Sequence, residues 1–300
     1  MIQNSPIDLT LLPAPDVLEP LDYESILAAM LADLRVRYPA FDALVESDPA
    51  YKLLEVCAYR ELLLRHRVND AARAVMMAYA LGTDLDQLAG NYGVARLLIT
   101  PADDTSTPPT AAIYEADDAF RARVLLSLEG YTTAGSRGAY RFHALSASGD
   151  VKDVGVTSLQ PGTVNVAILS HTLDGTAPAG TLAAATAALN AETVRPLCDT
   201  VQVVSATIVP YSVSAVLRLY EGVDQAAVIA EATASLQAYT DAQHRLGLGI
   251  SRSGIFAALH RSGVGGVTLD QPYYDIYCDW NEAAWRTGVT LTTDLYEEMD

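Results

Sequence analysis

The chain uses one eight-residue phrase twice, and this repeat sets the class of fold. Phe142-His-Ala-Leu-Ser-Ala-Ser-Gly149 returns as Phe256-Ala-Ala-Leu-His-Arg-Ser-Gly263, with Phe, Ala, Leu, Ser and Gly in register. Each copy has the pattern of an amphipathic helix end, and its glycine stands where a helix ends on a left-handed residue. A β-type run follows each copy, at 151–156 and 264–269. The repeat predicts an α+β fold, with two small modules that share a helix-stop-strand unit.

The two copies also predict matching core positions. We expect Phe142 and Phe256 to lie in equivalent settings, each on a helix that packs against its own sheet. Leu145 and Leu259 come three residues later and should lie on the same helix face. If the matching phrase is a coincidence, the two rings will lie in unrelated surroundings.

Composition bounds the size of the protein and the partners that it can bind. The 300 residues are 50% hydrophobic, which is enough for two or three modules with their own cores. The net charge is −18, from 37 acidic against 19 basic residues. Because each phosphate contact requires a cation, this charge argues against nucleic acid and anionic lipid as partners. No apolar run approaches the ~20 residues that cross a bilayer, so we expect a soluble protein.

The cysteines indicate neither a disulfide framework nor a zinc site. Cys57, Cys198 and Cys278 are odd in number, lie far apart and lack Cys-x-x-Cys spacing. We therefore expect reduced thiols in a protein made in the cytosol. The first twenty residues also lack the basic start and the apolar stretch of a secretory signal.

Prolines, glycines and charge patterns divide the chain into five segments. Residues 1–20 carry four prolines and are predicted to form an extended arm. A helical, bundle-forming region is expected over 21–96, and a linker with several prolines over 97–116. The middle α+β module then covers 117–210. The C-terminal α+β module covers 211–300 and ends in an aromatic, acidic tail.

The helical region contains one long predicted helix, over residues 48–80. Asp48 is a good N-cap, Pro49 suits the first helical position, and no glycine or further proline occurs before Gly82. At ~1.5 Å per residue this helix would be ~45 Å long, which exceeds the width of a small domain. It must therefore pack against a second helix or against another chain.

One face of this helix carries an apolar stripe whose members lie three, four or seven residues apart. The members are Cys57, Leu64, Val68, Ala71, Val75 and Ala78. Either the predicted helix over 22–38 covers this stripe in a hairpin within the chain, or helices of another subunit cover it. Asn69 borders the stripe, as a polar residue that fixes the register of a bundle or as an exposed surface residue. The stripe and Asn69 are the candidate interface.

Motifs of catalysis and of cofactor binding are missing from the sequence. The histidines are scattered, so the His-Glu-x-x-His zinc arrangement is absent; they are His66, His143, His171, His244 and His260. There is no Gly-x-Ser-x-Gly elbow and no Gly-Lys-Ser/Thr phosphate loop. The adjacent acids at 103–104 and 117–118 are typical of solvated or capping side chains rather than of a calcium site. We expect no enzyme activity, no cofactor and no metal.

Four stretches of the chain resemble the baseplate assembly protein J family, the baseplate J-like wedge proteins of contractile bacteriophage tails. The first combines Arg67-Val-Asn-Asp-Ala-Ala-Arg-Ala, Leu81-Gly-Thr-Asp-Leu-Asp-Gln-Leu-Ala and Tyr92-Gly-Val-Ala-Arg96. The second is Asp117-Asp-Ala-Phe-Arg-Ala-Arg123. The third combines Tyr131-Thr-Thr-Ala-Gly-Ser136 and Tyr140-Arg-Phe-His-Ala144, and the fourth is Val194-Arg-Pro-Leu-Cys-Asp199. The resemblance covers almost the whole chain.

This resemblance implies a structural subunit of the baseplate wedge, present in several copies around a sixfold ring beneath the tail tube and sheath. The subunit would join neighbouring wedges and take part in tail assembly and in triggering sheath contraction. A tail protein I-like subunit, a small lysozyme-like wedge protein and other copies of the chain are the implied partners. The long helix would join a bundle with those partners, and the α+β modules would contact neighbouring copies. The implied location is the virion baseplate, after assembly in the host cytoplasm.

Two other functions stay open on the sequence. A wedge component of a phage-like secretion or toxin-delivery machine would have the same plan, and neighbouring genes would distinguish it. An unrecognised hydrolase would assemble Ser, His and Asp from distant segments, which leaves no local signature.

Overall fold

The computed structural model of the protein describes residues 9, 12–13, 15–40, 47–132 and 135–296. The described helices are α1 (Tyr23–Arg37), α2 (Pro49–Ala74), α3 (Gly82–Gly90), α4 (Asp117–Gly130), α5 (Arg137–Ser146), α6 (Ala179–Leu189), α7 (Gln225–Gln243) and α8 (Arg252–Leu259). The strands are β1 (Leu98–Thr100), β2 (Ile113–Tyr114), β3 (Val151–Gln160), β4 (Thr163–Ser170), β5 (Thr200–Ser205), β6 (Thr207–Leu219), β7 (Val264–Gln271) and β8 (Glu282–Leu295). The fold is α+β, as expected from the sequence.

The chain divides into two compact units. The helical unit consists of Met1–Ala95 together with Asp117–Ala122, and the mixed unit consists of Arg96–Ala116 together with Arg123–Asp300. The helical unit therefore holds α1, α2, α3 and the first residues of α4. The mixed unit holds the rest of α4 and every described strand.

Local capping explains where the first two helices begin. Asp22 caps α1, because its carboxylate accepts a hydrogen bond from the Ser25 amide at 2.9 Å. Asp48 caps α2 through the Ala50 amide at 2.7 Å, with Pro49 in the first turn. Both starts agree with the sequence-based prediction.

The end of α2 comes earlier than expected. The helix stops at Ala74, and its 26 residues give a length of ~39 Å. Beyond it, Arg121 donates hydrogen bonds to the carbonyl oxygens of Met77 and Ala80, at 2.8 and 2.7 Å. The guanidinium satisfies carbonyl groups that a longer helix would have used, and residues 77–79 form a turn instead. Ala78 therefore lies beyond the helix.

The middle sheet has the strand order β3-β4-β5. β3 is antiparallel to β4, whereas β5 is parallel to it and is reached through α6, the crossover that parallel neighbours require. The central strand is buried on both faces. Val166 and Ile168 join a core with α5 and α6, and Ala167 and Leu169 join a second core on the other side.

The C-terminal sheet has the strand order β7-β6-β8. β7 is antiparallel to β6, and β8 runs parallel to β6 over its whole length, from the pair Thr207 and Glu282 to the pair Leu219 and Leu295. The core between this sheet, α7 and α8 includes six large side chains that are almost completely buried: Leu217, Leu219, Leu236, Ile250, Ile255 and Leu259. The region expected to be an aromatic, acidic tail thus contains a strand of 14 residues.

Both copies of the repeated phrase end a helix and lead into an edge strand. α5 precedes β3 and α8 precedes β7, and each strand is antiparallel to the central strand of its sheet. Gly263 has the expected left-handed backbone, with φ of 89°. Gly149 does not have a left-handed backbone, and glycine is required there for a different reason. A Cβ at this position would lie 2.1 Å from the carbonyl oxygen of Leu98.

The phenylalanines of the repeat do not occupy equivalent positions, contrary to our expectation. Phe256 packs against the C-terminal core. Phe142 lies beside the end of α4, where a Cβ on Gly130 would come within 2.3 Å of the phenyl ring. Leu145 and Leu259 each pack against the core of their own module. Ala144 and Ala258 are the aligned residues that are buried in the core of both modules. The different settings of the two rings are the outcome expected if the matching phrase is a coincidence, so the modular interpretation does not rest on the phenylalanines.

Residues 97–116, which we expected to be a linker, contain a folded hairpin. β1 and β2 pair in antiparallel fashion, and Asp103 and Thr110 exchange two backbone hydrogen bonds of 3.0 Å. At the base of the hairpin, Glu115 accepts two hydrogen bonds from Arg123, at 3.0 and 2.6 Å. Their side chains are only 11% and 4% exposed. A buried, two-point ion pair therefore anchors this segment to α4.

The two sheets of the mixed unit share a core instead of being separated by a linker. Its members are Ala167, Leu169, Ala206, Leu246 and Ala283, with Ile208 and Trp280 packed against them. The buried carboxylate of Asp153 spans the joint, since it accepts hydrogen bonds from Arg141 at 2.8 Å and from the Leu246 amide at 3.0 Å. Gly155 allows close approach, because a Cβ there would lie 2.3 Å from the Trp280 carbonyl oxygen.

His244 is buried in the same joint, at 4% exposure. Its Nδ1 lies 2.8 Å from the carbonyl oxygen of Ala284, and since a carbonyl can only accept, Nδ1 carries the proton. The imidazole packs against Trp285, with ring centroids 5.0 Å apart. Nε2 is directed towards Gly175, where a Cβ would lie only 3.0 Å away. The neutral imidazole therefore fills a tightly packed site, where water has little room to solvate the protonated, positively charged ring.

We expect the joint to lose stability as the pH falls. Burial lowers the pKa of His244, with a further lowering by Lys152, and these effects exceed the opposing influence of the Ala284 carbonyl, Asp241 and Asp174. Because the unfolded histidine titrates near ~6.5, the unfolded chain binds more protons than the folded chain below that pH. Stability should therefore fall from about pH 6.5 down to the lowered folded pKa.

The variant His244→Asn tests this expectation, because its amide nitrogen can still donate to Ala284. Urea unfolding between pH 7.5 and 5 should show a smaller loss of stability for the variant than for the parent chain. His143 and His171 also have pKa values lowered by burial, so the variant should retain part of the pH dependence. Identical pH profiles for the two proteins would contradict the prediction.

Candidate interaction surface

α1 covers only one side of α2. The contact is built on Ile26, Leu27 and Ala58, with Leu54 and Leu62 packed beside them. These α2 positions recur every four residues, and they form a different face from the apolar stripe. A helical hairpin within the chain is therefore present, but it does not cover the stripe.

The apolar stripe is exposed along α2. Leu64, Val68 and Val75 are 68%, 61% and 69% exposed, and Cys57 and Ala71 are exposed as well. Ala78 is half-buried and lies off the helix. Leu53 and Val56, at 67% and 59% exposure, extend the same surface towards the start of the helix. The contiguous exposure of large aliphatic side chains on one helix is typical of an interaction surface.

Two arginines accompany this surface. Arg60 and Arg67 are exposed, lie seven residues apart and form no ion pair with another described residue. α2 carries five basic against three acidic residues, whereas the whole chain has a net charge of −18. By contrast, Arg65 pairs with Glu61 at 2.6 Å, as opposite charges four residues apart on a helix commonly do. The α2 surface therefore offers an apolar face with two exposed cations at heptad spacing.

Asn69 has neither of the roles considered from the sequence. It is 4% exposed, and its side-chain nitrogen donates to the carbonyl oxygen of Glu19 at 2.9 Å. The Glu19 amide donates back to the Asn69 oxygen at 3.2 Å. Arg65 also contacts the Glu19 carboxylate, at 3.1 Å. Asn69 thus holds the end of the arm within the chain and is not available to a partner helix.

Replacing Asn69 with alanine should loosen residue 19 without unfolding α2. Losing both hydrogen bonds should cost about 1–2 kcal/mol locally, so the Glu19 amide should exchange with solvent roughly five- to thirtyfold faster. Hydrogen exchange followed by NMR measures this directly. Asp70→Ala is the matched control, because Asp70 is exposed and contacts Arg73 on the helix surface. Equal exchange rates at Glu19 in both variants would contradict this role of Asn69.

The cluster that most resembles a catalytic site in the described chain is a structural joint. Asp150 accepts hydrogen bonds from Ser170 and Thr172, at 2.7 and 2.8 Å, and from Thr181 at 2.6 Å. Burial alone would raise the pKa of Asp150, but these three donors outweigh it and lower the pKa. Ser170 is 1% exposed and donates directly to the carboxylate, although His171 is its neighbour. In the part of the chain that the structure describes, no histidine is hydrogen-bonded to the Ser170 hydroxyl.

Metal and membrane chemistry find no support either. Within the described ranges, no group of three or more His, Cys, Asp and Glu side chains is arranged to hold a metal ion. No described helix combines the length and the apolar character needed to span a bilayer. An open groove of about 530 Å³ lies where Pro20 and Leu21 meet α1, and Asp33, Glu61 and Arg65 line it. Its lining contains neither histidine nor cysteine.

Comparison with known proteins agrees with the resemblance seen in the motifs. Three family models match in sequence: a baseplate J-like N-terminal domain at residues 46–103, a baseplate J-like central domain at 132–205 and a baseplate J-like protein C-terminal domain at 211–292. The chain is 48% identical over 299 residues to baseplate protein J of Escherichia phage P2, covering 97% of this chain and 99% of that protein. Matches of this extent show that the chain belongs to the baseplate J-like protein family.

Proposed function

We propose that the protein is a structural component of the baseplate wedge of a contractile phage tail, located in the virion baseplate after assembly in the host cytoplasm. It joins neighbouring wedges into a ring and takes part in tail assembly and in triggering sheath contraction. Family membership supports the structural role in a phage baseplate. The observation that carries the assembly role is the exposed apolar face of α2.

The α2 surface supports a helical bundle with another subunit. An exposed strip with Leu64, Val68 and Val75 would lose its unfavourable contact with water when a second helix covers it. The exposed Ala71 lets a partner backbone come close. Arg60 and Arg67 favour a partner helix that carries Glu or Asp at positions seven residues apart. A tail protein I-like wedge subunit is the proposed partner for this face.

The mixed unit is suited to contacts that hold neighbouring subunits in a fixed arrangement. Its two sheets share the core around Leu169 and Leu246, and Asp153 bridges them. Surfaces of such a unit are presented in a fixed relation to one another. We assign the contacts with neighbouring copies of the chain to this unit, and a small lysozyme-like wedge protein is the third proposed partner.

Co-expression tests the proposal. The chain produced with the tail protein I-like neighbour from the same genome should give a stable heteromer by light scattering and remain in solution better than the chain alone. Co-expression with the tube protein of the same phage is the control, because no contact with it is proposed. A chain that stays monomeric and is indifferent to the tail protein I-like neighbour would contradict the wedge role.

The phage origin of the relative supports a role in a phage tail over a role in a derived secretion machine.

A further inference from the structure

The loop between β7 and β8, residues 272–281, presents three tyrosines to solvent. Tyr273, Tyr274 and Tyr277 are 67%, 83% and 84% exposed. Pro272, just before the first tyrosine, is buried, and Ile276 and Cys278, on either side of Tyr277, pack against the C-terminal core. The loop is therefore anchored by these inward side chains while its tyrosines point outward. We refer to this segment as the tyrosine loop.

The tyrosine loop is held firmly by its backbone. Ile276 and Ile250 exchange two hydrogen bonds, of 2.9 and 2.8 Å. Asp275 accepts a hydrogen bond from the Arg252 amide at 2.7 Å, and so ties the loop to the start of α8. Gly249 allows the strands to approach closely, because a Cβ there would lie 2.1 Å from the Ile276 carbonyl oxygen. The rings are thus displayed on a fixed support, which lowers the entropy lost on binding.

Carboxylates lie along the same segment as the exposed rings. Asp270, Asp275 and Asp279 are all exposed in or beside the loop. Arg252, which is hydrogen-bonded to the loop, is half-buried, and its guanidinium donates to the carbonyl oxygens of Leu269 and Pro272. The surface therefore combines electron-rich ring faces with negative charge.

We propose that the tyrosine loop is a docking site for an arginine-bearing surface of a different protein subunit. A guanidinium can stack on a tyrosine face and donate two parallel hydrogen bonds to a neighbouring carboxylate, which matches both features of the loop. Nucleic acid and anionic lipid would be repelled by Asp270, Asp275 and Asp279. A second copy placed loop to loop is disfavoured, because Asp270, Asp275 and Asp279 of the two copies would then face one another. This docking site goes beyond the bundle proposed for α2.

A peptide titration of the full-length chain tests the site. The protein, labelled with 3-fluorotyrosine, is titrated at low ionic strength with N-acetyl-triarginine amide and, separately, with the trilysine peptide. We expect triarginine to bind more tightly than trilysine and to shift the resonances of the loop tyrosines. The double variant Tyr273→Ser with Tyr277→Ser should weaken triarginine binding roughly five- to twentyfold. Tyr38→Ser, at another exposed tyrosine (58%), should leave it unchanged.

Three results would overturn the proposal. The two peptides could bind with equal affinity, and the loop variants could leave that affinity unchanged. Binding would then reflect general electrostatic attraction to an acidic chain rather than recognition by the loop. Peptide-induced shifts confined to tyrosines outside the loop would place the binding elsewhere. Self-association that grows with protein concentration and disappears in Tyr273→Ser with Tyr277→Ser would identify a second copy as the occupant. Circular dichroism of each variant verifies that its fold is retained.

Discussion

Arg123→Met should lower the free energy of unfolding of the mixed unit by about 3–5 kcal/mol. The change removes the cation that pairs with the Glu115 carboxylate. That carboxylate is only 11% exposed, so water cannot replace the lost partner. Methionine retains most of the aliphatic volume of arginine, so the loss reports the missing ion pair and hydrogen bonds, including the one to Ser146, rather than a cavity. Urea unfolding of parent and variant, followed by circular dichroism, measures the difference.

A second variant separates charge from packing at this ion pair. Adding Glu115→Gln to Arg123→Met removes the stranded charge and should recover a large part of the lost stability. Arg37→Met is the matched control, because Arg37 pairs with Asp33 at an exposed position, where such pairs contribute little. If Arg123→Met costs no more than Arg37→Met, the ion pair does not anchor the hairpin.

Leu64→Glu combined with Val68→Glu should abolish the heteromer with the tail protein I-like subunit. Both side chains are more than half exposed, so two carboxylates there leave the isolated chain folded within about 0.5 kcal/mol. In a bundle, however, the same carboxylates would be buried without partners. We expect the affinity for the neighbouring subunit to fall by roughly a hundredfold or more.

The control for the stripe variant places the same charge on another helix. Ala230→Glu with Ala234→Glu puts two carboxylates four residues apart on an exposed face of α7. This variant should form the heteromer normally, as measured by light scattering of the co-purified proteins. If both variants assemble equally well, the apolar stripe is a solvated helix face and the bundle must use another surface.

Local signals in the sequence predicted helix starts well. Asp48 followed by Pro49 defines the start of α2 by itself, because capping involves only neighbouring residues. The end of α2 could not be predicted in this way. It depends on Arg121, more than forty residues later in the chain, which takes up the carbonyl groups of Met77 and Ala80. A helix end that is fixed by a distant side chain leaves no mark in the local sequence.

The elements that sequence reasoning missed are strands whose partners are distant or weak. β8 pairs with β6 across more than sixty residues, and its alternation is interrupted by polar residues because its outer edge faces solvent. β1 and β2 are two or three residues long, too short to show a period. What stabilises their hairpin is the pair of Glu115 and Arg123, which spacing alone does not connect.

The candidate surface was predictable in part. Periodicity found the stripe, because aliphatic residues at helical spacing are visible whether or not anything covers them. It could not show which face α1 would choose, and that choice rests on Ala58, a small residue that permits close contact. Asn69 was misread because its partner is a backbone, that of Glu19, and backbone groups carry no sequence signature.

The pairing of β6 with β8 has a mechanical consequence. β5 ends at Ser205 and β6 begins at Thr207, so the buried Ala206 alone separates the two sheets along the chain. A pull along this path loads the thirteen registered positions of the β6 and β8 pair together, in shear, instead of opening them one at a time. A strand pair loaded in shear resists extension far more than a flexible linker would. Tension that enters at one sheet is therefore delivered to the other with little stretch.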